Sequence, residues 1–210
     1  MFEDRKDAGI KLAKALEKYK GKGVLVLAIP RGGVQVGLEV AKHLEADFSI
    51  LVARKLPYPN EPEAGFGAIA EDGSIVILED AVQGIPKRLV DDIIKGEKAE
   101  IKRRIAVLRN GRPLPPIKDR TVILVDDGIA MGSTIRASIM LCRNFLAKKI
   151  VVAVPVAGKN TREIEPMVDE LIVLEKPIFF QAVAQVYRNW HDVSDEEVLT
   201  LMKEWKKSVL

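Results

Sequence analysis

Apolar residues along the chain follow two patterns. Some form short continuous runs, which are typical of strands buried on both faces, and others recur every three or four positions, which is typical of one face of a helix. The continuous runs predict strands at residues 24–29, 48–53, 75–78, 121–125, 150–156 and 171–174. The helical spacing predicts helices over residues 5–19, 36–44, 87–108 and 133–147, and a last one from about residue 194. Because strands alternate with helices, we predict an α/β fold with a mainly parallel sheet that helices cover on both faces.

Two segments follow neither pattern. Residues 54–74 are rich in proline and glycine, which predicts a long loop, and loops of that length are usually functional lids or disordered. Residues 112–116 form a proline-rich linker. The chain has no internal repeat, and its 210 residues are enough to bury one sizeable core. We therefore predict a single domain over residues 1–210, with a helical insertion at about residues 86–110.

Two adjacent carboxylates, Asp126 and Asp127, directly follow the apolar strand 121–125. Unpaired charge at the end of a buried strand is costly, so we expect a cationic or hydroxyl-bearing group to use these acids. The next residues, 128–134, contain two glycines that allow a tight turn close to a ligand. They end in Ser-Thr at the start of a helix, where free N–H groups attract an anion. The run predicts a site for a phosphate near vicinal hydroxyls, as in a pentose 5-phosphate.

Other interpretations of this run are weaker. An Asp-Asp-Gly turn before a capped helix is common in α/β proteins, but it does not account for the whole of residues 125–134. A P-loop requires lysine before its serine or threonine, and Gly132 stands before Ser133 here. Neither residues 32–37 nor residues 128–132 have the G-x-G-x-x-G spacing of a dinucleotide site. A nucleoside triphosphatase and a dinucleotide enzyme are therefore not indicated.

The segment 125–134, with the sequence VDDGIAMGST, resembles the motif of type I phosphoribosyltransferases that binds 5-phosphoribosyl 1-diphosphate (PRPP). The likeness extends over nearly the whole chain and is greatest to uncharacterised phosphoribosyltransferase-like proteins. It implies a three-layer α/β fold with a mainly parallel central sheet, a mobile hood loop and a C-terminal hood segment. It also implies that Asp126 and Asp127 act in catalysis by holding the ribose 2- and 3-hydroxyls. The 5-phosphate would be bound by Ala130, Met131, Gly132, Ser133 and Thr134.

The resemblance assigns the pyrophosphate of PRPP to two further segments. Ligands bind beyond the carboxyl ends of parallel strands, so the loop after strand 24–29 is expected to face the acid pair. In that loop, Arg31 and Gly32 would bind pyrophosphate. Arg54 and Lys55 would bind it from the start of the long loop, as catalytic residues of the mobile hood. The residues alone also allow a glycine-rich turn with a surface arginine, and two cations that extend into solvent.

Three residues, Lys159, Phe179 and Phe180, lie where relatives that act on purines hold the base. The resemblance implies acceptor binding for them, although packing of both phenylalanines in the core is slightly favoured by residue type. Hypoxanthine-type enzymes carry an acid where this chain has Ala130, which disfavours a simple hypoxanthine–guanine enzyme. Uracil and adenine enzymes carry alanine there and usually threonine next, whereas Met131 follows here.

The reaction that the resemblance implies is transfer of the 5-phosphoribosyl group of PRPP to a nitrogen acceptor, expected to be a nucleobase, with release of pyrophosphate. Magnesium would be the cofactor, held by Asp126 and Asp127 directly or through water, because hard oxygen ligands and retained waters suit it. Two alternatives stay open. One is a regulator on the same fold that senses PRPP or a nucleotide and binds nucleic acid. The other is a phosphoribosyl hydrolase or phosphorylase.

Composition narrows the expected partners and location. The 33 basic and 30 acidic residues leave a formal charge of +3, too small an excess to predict a nucleic-acid surface. The apolar runs are far shorter than the roughly 20 residues of a membrane helix, and the charged first residues do not resemble a secretory segment. The one cysteine, Cys142, cannot form an internal disulfide and is expected to be a buried helical residue, which favours a reduced, cytoplasmic setting. The resemblance also implies a homodimer.

Overall fold

The computed structural model describes residues 1–159 and 161–208. Its strands, in chain order, are β1 (Leu25–Ala28), β2 (Asp47–Ile50), β3 (Ala53–Tyr58), β4 (Glu61–Ala70), β5 (Ile75–Ile77), β6 (Thr121–Val125), β7 (Lys149–Val156) and β8 (Glu170–Glu175). Its α-helices are α1 (Arg5–Ala15), α2 (Gly33–Leu44), α3 (Glu79–Val82), α4 (Lys87–Arg109), α5 (Ser133–Asn144), α6 (Thr161–Ile164) and α7 (Asp195–Ser208). Short 3₁₀ turns lie at Glu17–Tyr19, Glu165–Met167 and Val183–Val186.

Five of these strands form a parallel sheet in the order β2-β1-β6-β7-β8, which confirms the predicted α/β class. Successive residues of a strand point to opposite faces of the sheet. In β1, Leu27 packs in a cluster with residues of α5, whereas Val26 packs in a cluster with residues of α1 and α2. Helices therefore cover both faces, and this is why the strands read as continuous apolar runs in the sequence.

Residues 54–74, predicted to form a long loop, are instead mostly strands. β3 and β4 pair antiparallel and β5 adds to β4, which gives a second sheet in the order β3-β4-β5. The side chains of Leu56, Phe66 and Ile69 are fully buried, but prolines and glycines between them hide the alternation in the sequence. The segment that the resemblance assigns to a hood loop is therefore largely a β-hairpin. The predicted strand at residues 75–78 corresponds to β5 and belongs to this antiparallel sheet.

Helix α4 confirms the prediction for residues 87–108. It follows Pro86 and ends before Asn110, whose φ of 52° lies in the left-handed region that often terminates helices. Ile101 and Leu108 of α4 are buried in a cluster that includes residues of β3 and α7. That α4 is an insertion into one domain of residues 1–210 stays a prediction.

The other helices agree with the predictions in position more than in length. The helix predicted over residues 5–19 is α1 followed by the 3₁₀ turn Glu17–Tyr19. Helix α2 starts three residues before the predicted position 36, and α5 stops at Asn144, because the chain turns through a left-handed φ of 58° at Leu146. These differences do not alter the layer arrangement.

The structure also bears on the predicted environment of the one cysteine and on the length of the apolar helices. Cys142 lies on α5 and is fully buried, and burial raises the pKa of its thiol to about 12, which confirms the expectation of a buried helical residue. Within the described part of the chain, no helix has the length and apolar character needed to cross a membrane.

Candidate functional site

Two loops meet at the carboxyl end of the central sheet. Residues 30–33 follow β1 and residues 126–132 follow β6, and β1 and β6 are paired neighbours. A Cβ atom on Gly32 would lie 1.8 Å from Oδ2 of Asp127, so a side chain at this position would displace that carboxylate. The Pro30–Arg31 peptide bond is cis. The predicted pyrophosphate loop therefore touches the predicted acid pair.

The two carboxylates of the acid pair are adjacent in the chain, partly buried, and have different partners. Oδ1 of Asp126 accepts a hydrogen bond of 2.8 Å from the amide of Asp127. Oδ2 of Asp127 accepts one of 2.8 Å from Nε of Arg5, whose side chain is 4% exposed. Burial raises the pKa of both acids; the charge of Asp127 raises that of Asp126 further, whereas Arg5 opposes the increase at Asp127. Arg5 therefore favours the charged form of Asp127.

Arg5 is a site residue that the sequence reasoning missed. Its guanidinium carbon lies 3.8 Å from the ring centroid of Trp190, and its Nη1 donates a hydrogen bond of 2.9 Å to the carbonyl oxygen of His191. The hydroxyl of Tyr187 in the same segment donates one of 2.7 Å to the carbonyl oxygen of Asp127. Residues near the start of the chain and residues 187–191 thus both hold Asp127 in position. One signal was available: Arg5 is the first residue of a helix, where the dipole disfavours a cation.

The predicted phosphate loop runs from Ala130 to Thr134 and ends in the first turn of α5. Gly132 precedes the helix with a φ of 78°, a left-handed conformation that favours glycine. Ser133 is buried, and Met131 is 55% exposed. The first N–H groups of a helix have no intrahelical acceptors, and together with the helix dipole they favour an anion. The structure places all five predicted residues at this helix end.

A cavity of about 860 Å³ opens beside the predicted phosphate loop and brings the predicted acceptor residues together. Its walls include Met131, Lys159, Phe179, Phe180 and Tyr58, the last residue of β3. The preference for packing in the core is wrong for Phe179, which is 87% exposed because the segment after β8 leaves the packed layers. Phe180 is partly buried. One apolar ring is therefore available at the mouth of the cavity.

The predicted pyrophosphate cations are engaged with two helices. Nη1 of Arg31 lies 3.7 Å from Oδ1 of Asp195, at the start of α7. Nε of Arg54 donates a hydrogen bond of 2.7 Å to Oε2 of Glu97 in α4. Lys55 is next to Arg54 on β3 and is partly buried. No sequence pattern indicated Glu97 or Asp195 as partners, since each lies far along the chain from its arginine.

The family model of the phosphoribosyl transferase domain matches residues 3–188, which include Arg5, the acid pair and the cavity. The chain belongs to the phosphoribosyl transferase domain family. A protein of Mycobacterium tuberculosis (strain H37Rv), Putative phosphoribosyl transferase Rv0571c, is 42% identical to it over 205 residues. That alignment covers 96% of this chain and 46% of the relative, so the chain spans about half the length of the curated relatives it matches.

Solved structures agree with the fold. The protein TT1426 from Thermus thermophilus has a TM-score of 0.79 and 33% identity, over 97% of this chain and 98% of TT1426. A purine phosphoribosyltransferase from Pyrococcus horikoshii Ot3 has a TM-score of 0.50 and 15% identity, over 89% of this chain and 90% of that one. The second likeness shows a shared fold alone. The parallel five-strand sheet of this family member is thus the sheet of the type I phosphoribosyltransferase fold.

Proposed function

We propose that this family member transfers the 5-phosphoribosyl group of PRPP to a nitrogen acceptor, with release of pyrophosphate. The observation that carries the proposal is the contact of Asp127 with Gly32, next to Arg31. A ribose whose hydroxyls meet Asp126 and Asp127 would direct its C1 leaving group toward that loop and its 5-phosphate toward the start of α5. Family membership supports phosphoribosyl transfer in general and leaves the acceptor open.

Three groups of residues would each bind a different part of PRPP. The amides at the start of α5, with the hydroxyls of Ser133 and Thr134, would bind the 5-phosphate. Asp126 and Asp127 would accept hydrogen bonds from the ribose 2- and 3-hydroxyls. As the bond from C1 to the diphosphate oxygen breaks, positive charge develops on the ribose, and fixed carboxylates stabilise it. The diphosphate gains the electron pair and leaves as an anion next to Arg31.

Magnesium fits the donor set of this site as a substrate-bound ion. Among the described residues, no group of three or more histidine, cysteine or acidic side chains is arranged to hold a metal alone. Asp126 and Asp127 would hold magnesium together with substrate oxygens and water, and the bound ion would neutralise charge on the diphosphate. The two carboxylates are hard oxygen donors, which suit that ion.

The acceptor is proposed to be a nucleobase bound in the cavity beside the phosphate loop. The exposed ring of Phe179 offers a stacking surface, and Lys159 offers a hydrogen-bond donor to a ring oxygen or nitrogen. Ala130 supplies no acid to a purine nitrogen, which continues to disfavour a simple hypoxanthine–guanine enzyme. The homodimer and the cytoplasmic location stay predictions.

Pyrophosphate release tests this proposal. Purified protein would be incubated with PRPP, magnesium and a panel of purine and pyrimidine bases, and pyrophosphate would be measured by a coupled assay. We expect release that depends on one base, and a loss of about 100-fold or more in Asp127→Asn, because that change removes charge stabilisation developed in the transition state. Asp92→Asn, which neutralises an exposed acid on α4, is the matched control and should keep wild-type turnover.

Each outcome has a defined meaning. Base-dependent release that Asp127→Asn retains in full would contradict the proposed site. PRPP binding without release for any acceptor would favour the sensing regulator. Release that requires only water or phosphate would identify the hydrolase or phosphorylase alternative.

A further inference from the structure

Helix α4 carries an arginine on its buried face. Glu97, Ile101, Arg104 and Leu108 recur at helical spacing and therefore lie on one side of the helix. Ile101 and Leu108 are 4% and 5% exposed, and the side chain of Arg104 between them is 7% exposed. A guanidinium in this setting is costly unless anionic groups pair with it.

The hydrogen bonding of Arg104 leaves part of its guanidinium open to solvent or to a ligand, since none of its nitrogens is both fully buried and without a partner. Its Nε donates a hydrogen bond of 2.9 Å to Oε1 of Glu100. Within the described residues, Arg104 makes no other hydrogen bond through its side chain. An arginine has five N–H donors, so four are left for another acceptor. Burial lowers the pKa of Arg104, Glu100 opposes this, and the positive charges of Arg54 and Arg31 lower it further. The charges of two other guanidinium groups therefore act on Arg104.

Arg54 and Arg31 form ion pairs with carboxylates of α4 and α7. Arg54 pairs with Glu97 on the buried face of α4. Asp195 lies 2.9 Å from Nη1 of Arg103 and 3.7 Å from Nη1 of Arg31, which joins the loop after β1 to α4. Four guanidinium groups, those of Arg31, Arg54, Arg103 and Arg104, therefore share the three carboxylates of Glu97, Glu100 and Asp195.

This cluster lies next to the acid pair, because Arg31 precedes Gly32 and Gly32 touches Asp127. An anion with several oxygens and a high charge density suits a cluster in which cations outnumber acids and one buried arginine has unused donors. A diphosphate has both properties. A carboxylate or a single phosphate ester would satisfy fewer of the converging donors.

We propose that Arg104, supplied by α4, is a further binding residue for the pyrophosphate group, and that Glu97 and Asp195 hold Arg54 and Arg31 in place until the diphosphate replaces these carboxylates. The inference rests on the proposed function and extends it, since it gives α4 a part in substrate binding.

The test compares two probes on wild type and variants by isothermal titration calorimetry. Inorganic pyrophosphate with magnesium reports the diphosphate site, and ribose 5-phosphate reports the rest. We expect Arg104→Gln to weaken pyrophosphate binding about 10- to 100-fold, the worth of hydrogen bonds to a charged group, and to leave the Kd of ribose 5-phosphate unchanged. Lys102→Gln removes a charge from the exposed side of the same helix and is the matched control, with both Kd values at the wild-type level.

A second variant protects the test against misfolding, because Arg104 is buried. Glu97 competes with pyrophosphate for Arg54, so Glu97→Gln should tighten pyrophosphate binding about 2- to 5-fold, the worth of a partly exposed ion pair. Circular dichroism would report whether each variant is folded. If Arg104→Gln is unfolded, the Glu97→Gln result decides.

Three results would overturn the inference. One is a folded Arg104→Gln protein with wild-type affinity for pyrophosphate, and another is unchanged or weaker pyrophosphate binding in Glu97→Gln. In both cases the role proposed for Arg104 and Glu97 would be wrong. The proposed function would still stand if the wild-type protein binds both ribose 5-phosphate and pyrophosphate. The third is wild type that binds neither probe, which would overturn the proposed function as well.

Discussion

Replacing Arg5 with methionine is expected to destabilise the folded protein by about 4 kcal/mol. Methionine keeps much of the apolar stem but leaves the carboxylate of Asp127 buried without its cation. Removing one partner of a buried ion pair costs about 3–5 kcal/mol. The low end of this range applies here, because the side chain of Asp127 is 15% exposed. Loss of the contact with Trp190, centred 3.8 Å away, adds about 1 kcal/mol.

A double-mutant cycle separates the ion pair from the packing. Asp127→Asn removes the buried charge, so Arg5→Met should cost only about 1–2 kcal/mol in that background, which leaves a coupling energy of at least about 2 kcal/mol. Urea unfolding followed by circular dichroism would give the free energy of unfolding of the wild type, both single variants and the double variant. Arg188→Met is the control, because Arg188 is 66% exposed and its pair with Glu3 should be worth under about 1 kcal/mol.

The pH dependence of this cost has a definite sign. Arg5 lowers the pKa of Asp127, so its removal raises that pKa above the already elevated value in the wild type. The folded variant then takes up a proton at higher pH than the folded wild type does, and its deficit in stability should shrink as the pH falls. A coupling energy near zero, or a deficit that grows toward acid pH, would refute the reasoning.

Three further predictions use other parts of the molecule. Gly32→Ala should abolish PRPP binding in calorimetry while the protein stays folded, because the new Cβ would lie 1.8 Å from Oδ2 of Asp127 and displace that carboxylate; retained affinity would contradict the geometry. Cys142 should resist a thiol reagent at pH 8 until denaturant is added, since a pKa of about 12 leaves roughly one thiolate in 10⁴; prompt reaction of native protein would show that the thiol is accessible. Hydrogen bonds from Arg103 and Arg104 lower the pKa of Glu100 from 4.5 to about 2, so this acid stabilises the fold above pH 4.5 and loses that effect as the pH falls toward 2. The thermal midpoint of Glu100→Gln should therefore decline less than that of the wild type across this window, and parallel declines would count against the assignment.

Local patterns in the sequence predicted the centre of the site. The apolar run of β6 and the acids, glycines and hydroxyls after it form one contiguous segment, so spacing alone was enough to predict a phosphate loop there. The alternation of strands and helices predicts a parallel sheet, and ligands bind at the carboxyl edge of such a sheet, which led us to expect Arg31 and Gly32 opposite the acids. The structure adds the strand order, in which β1 pairs with β6.

Features that depend on distant residues were not predictable in this way. Arg5 and Asp127 are 122 positions apart, and no periodicity connects them. The ion pairs of Arg54 with Glu97 and of Arg31 with Asp195 likewise appear only once α4 and α7 have packed. The β3–β4 hairpin was missed for a different reason: its buried alternation is interrupted by prolines, glycines and an irregular register after Leu56.

Calorimetric titration of the wild type with PRPP and magnesium, beside the double variant with Asp126→Asn and Asp127→Asn, tests the central claim most directly. We predict saturable binding to the wild type and a loss of about 100-fold or more in the double variant, because two carboxyl groups that would bind the ribose hydroxyls are replaced by neutral amides. Absence of binding to the wild type, or equal affinity in the double variant, would contradict the assignment of this site to a ribose 5-phosphate.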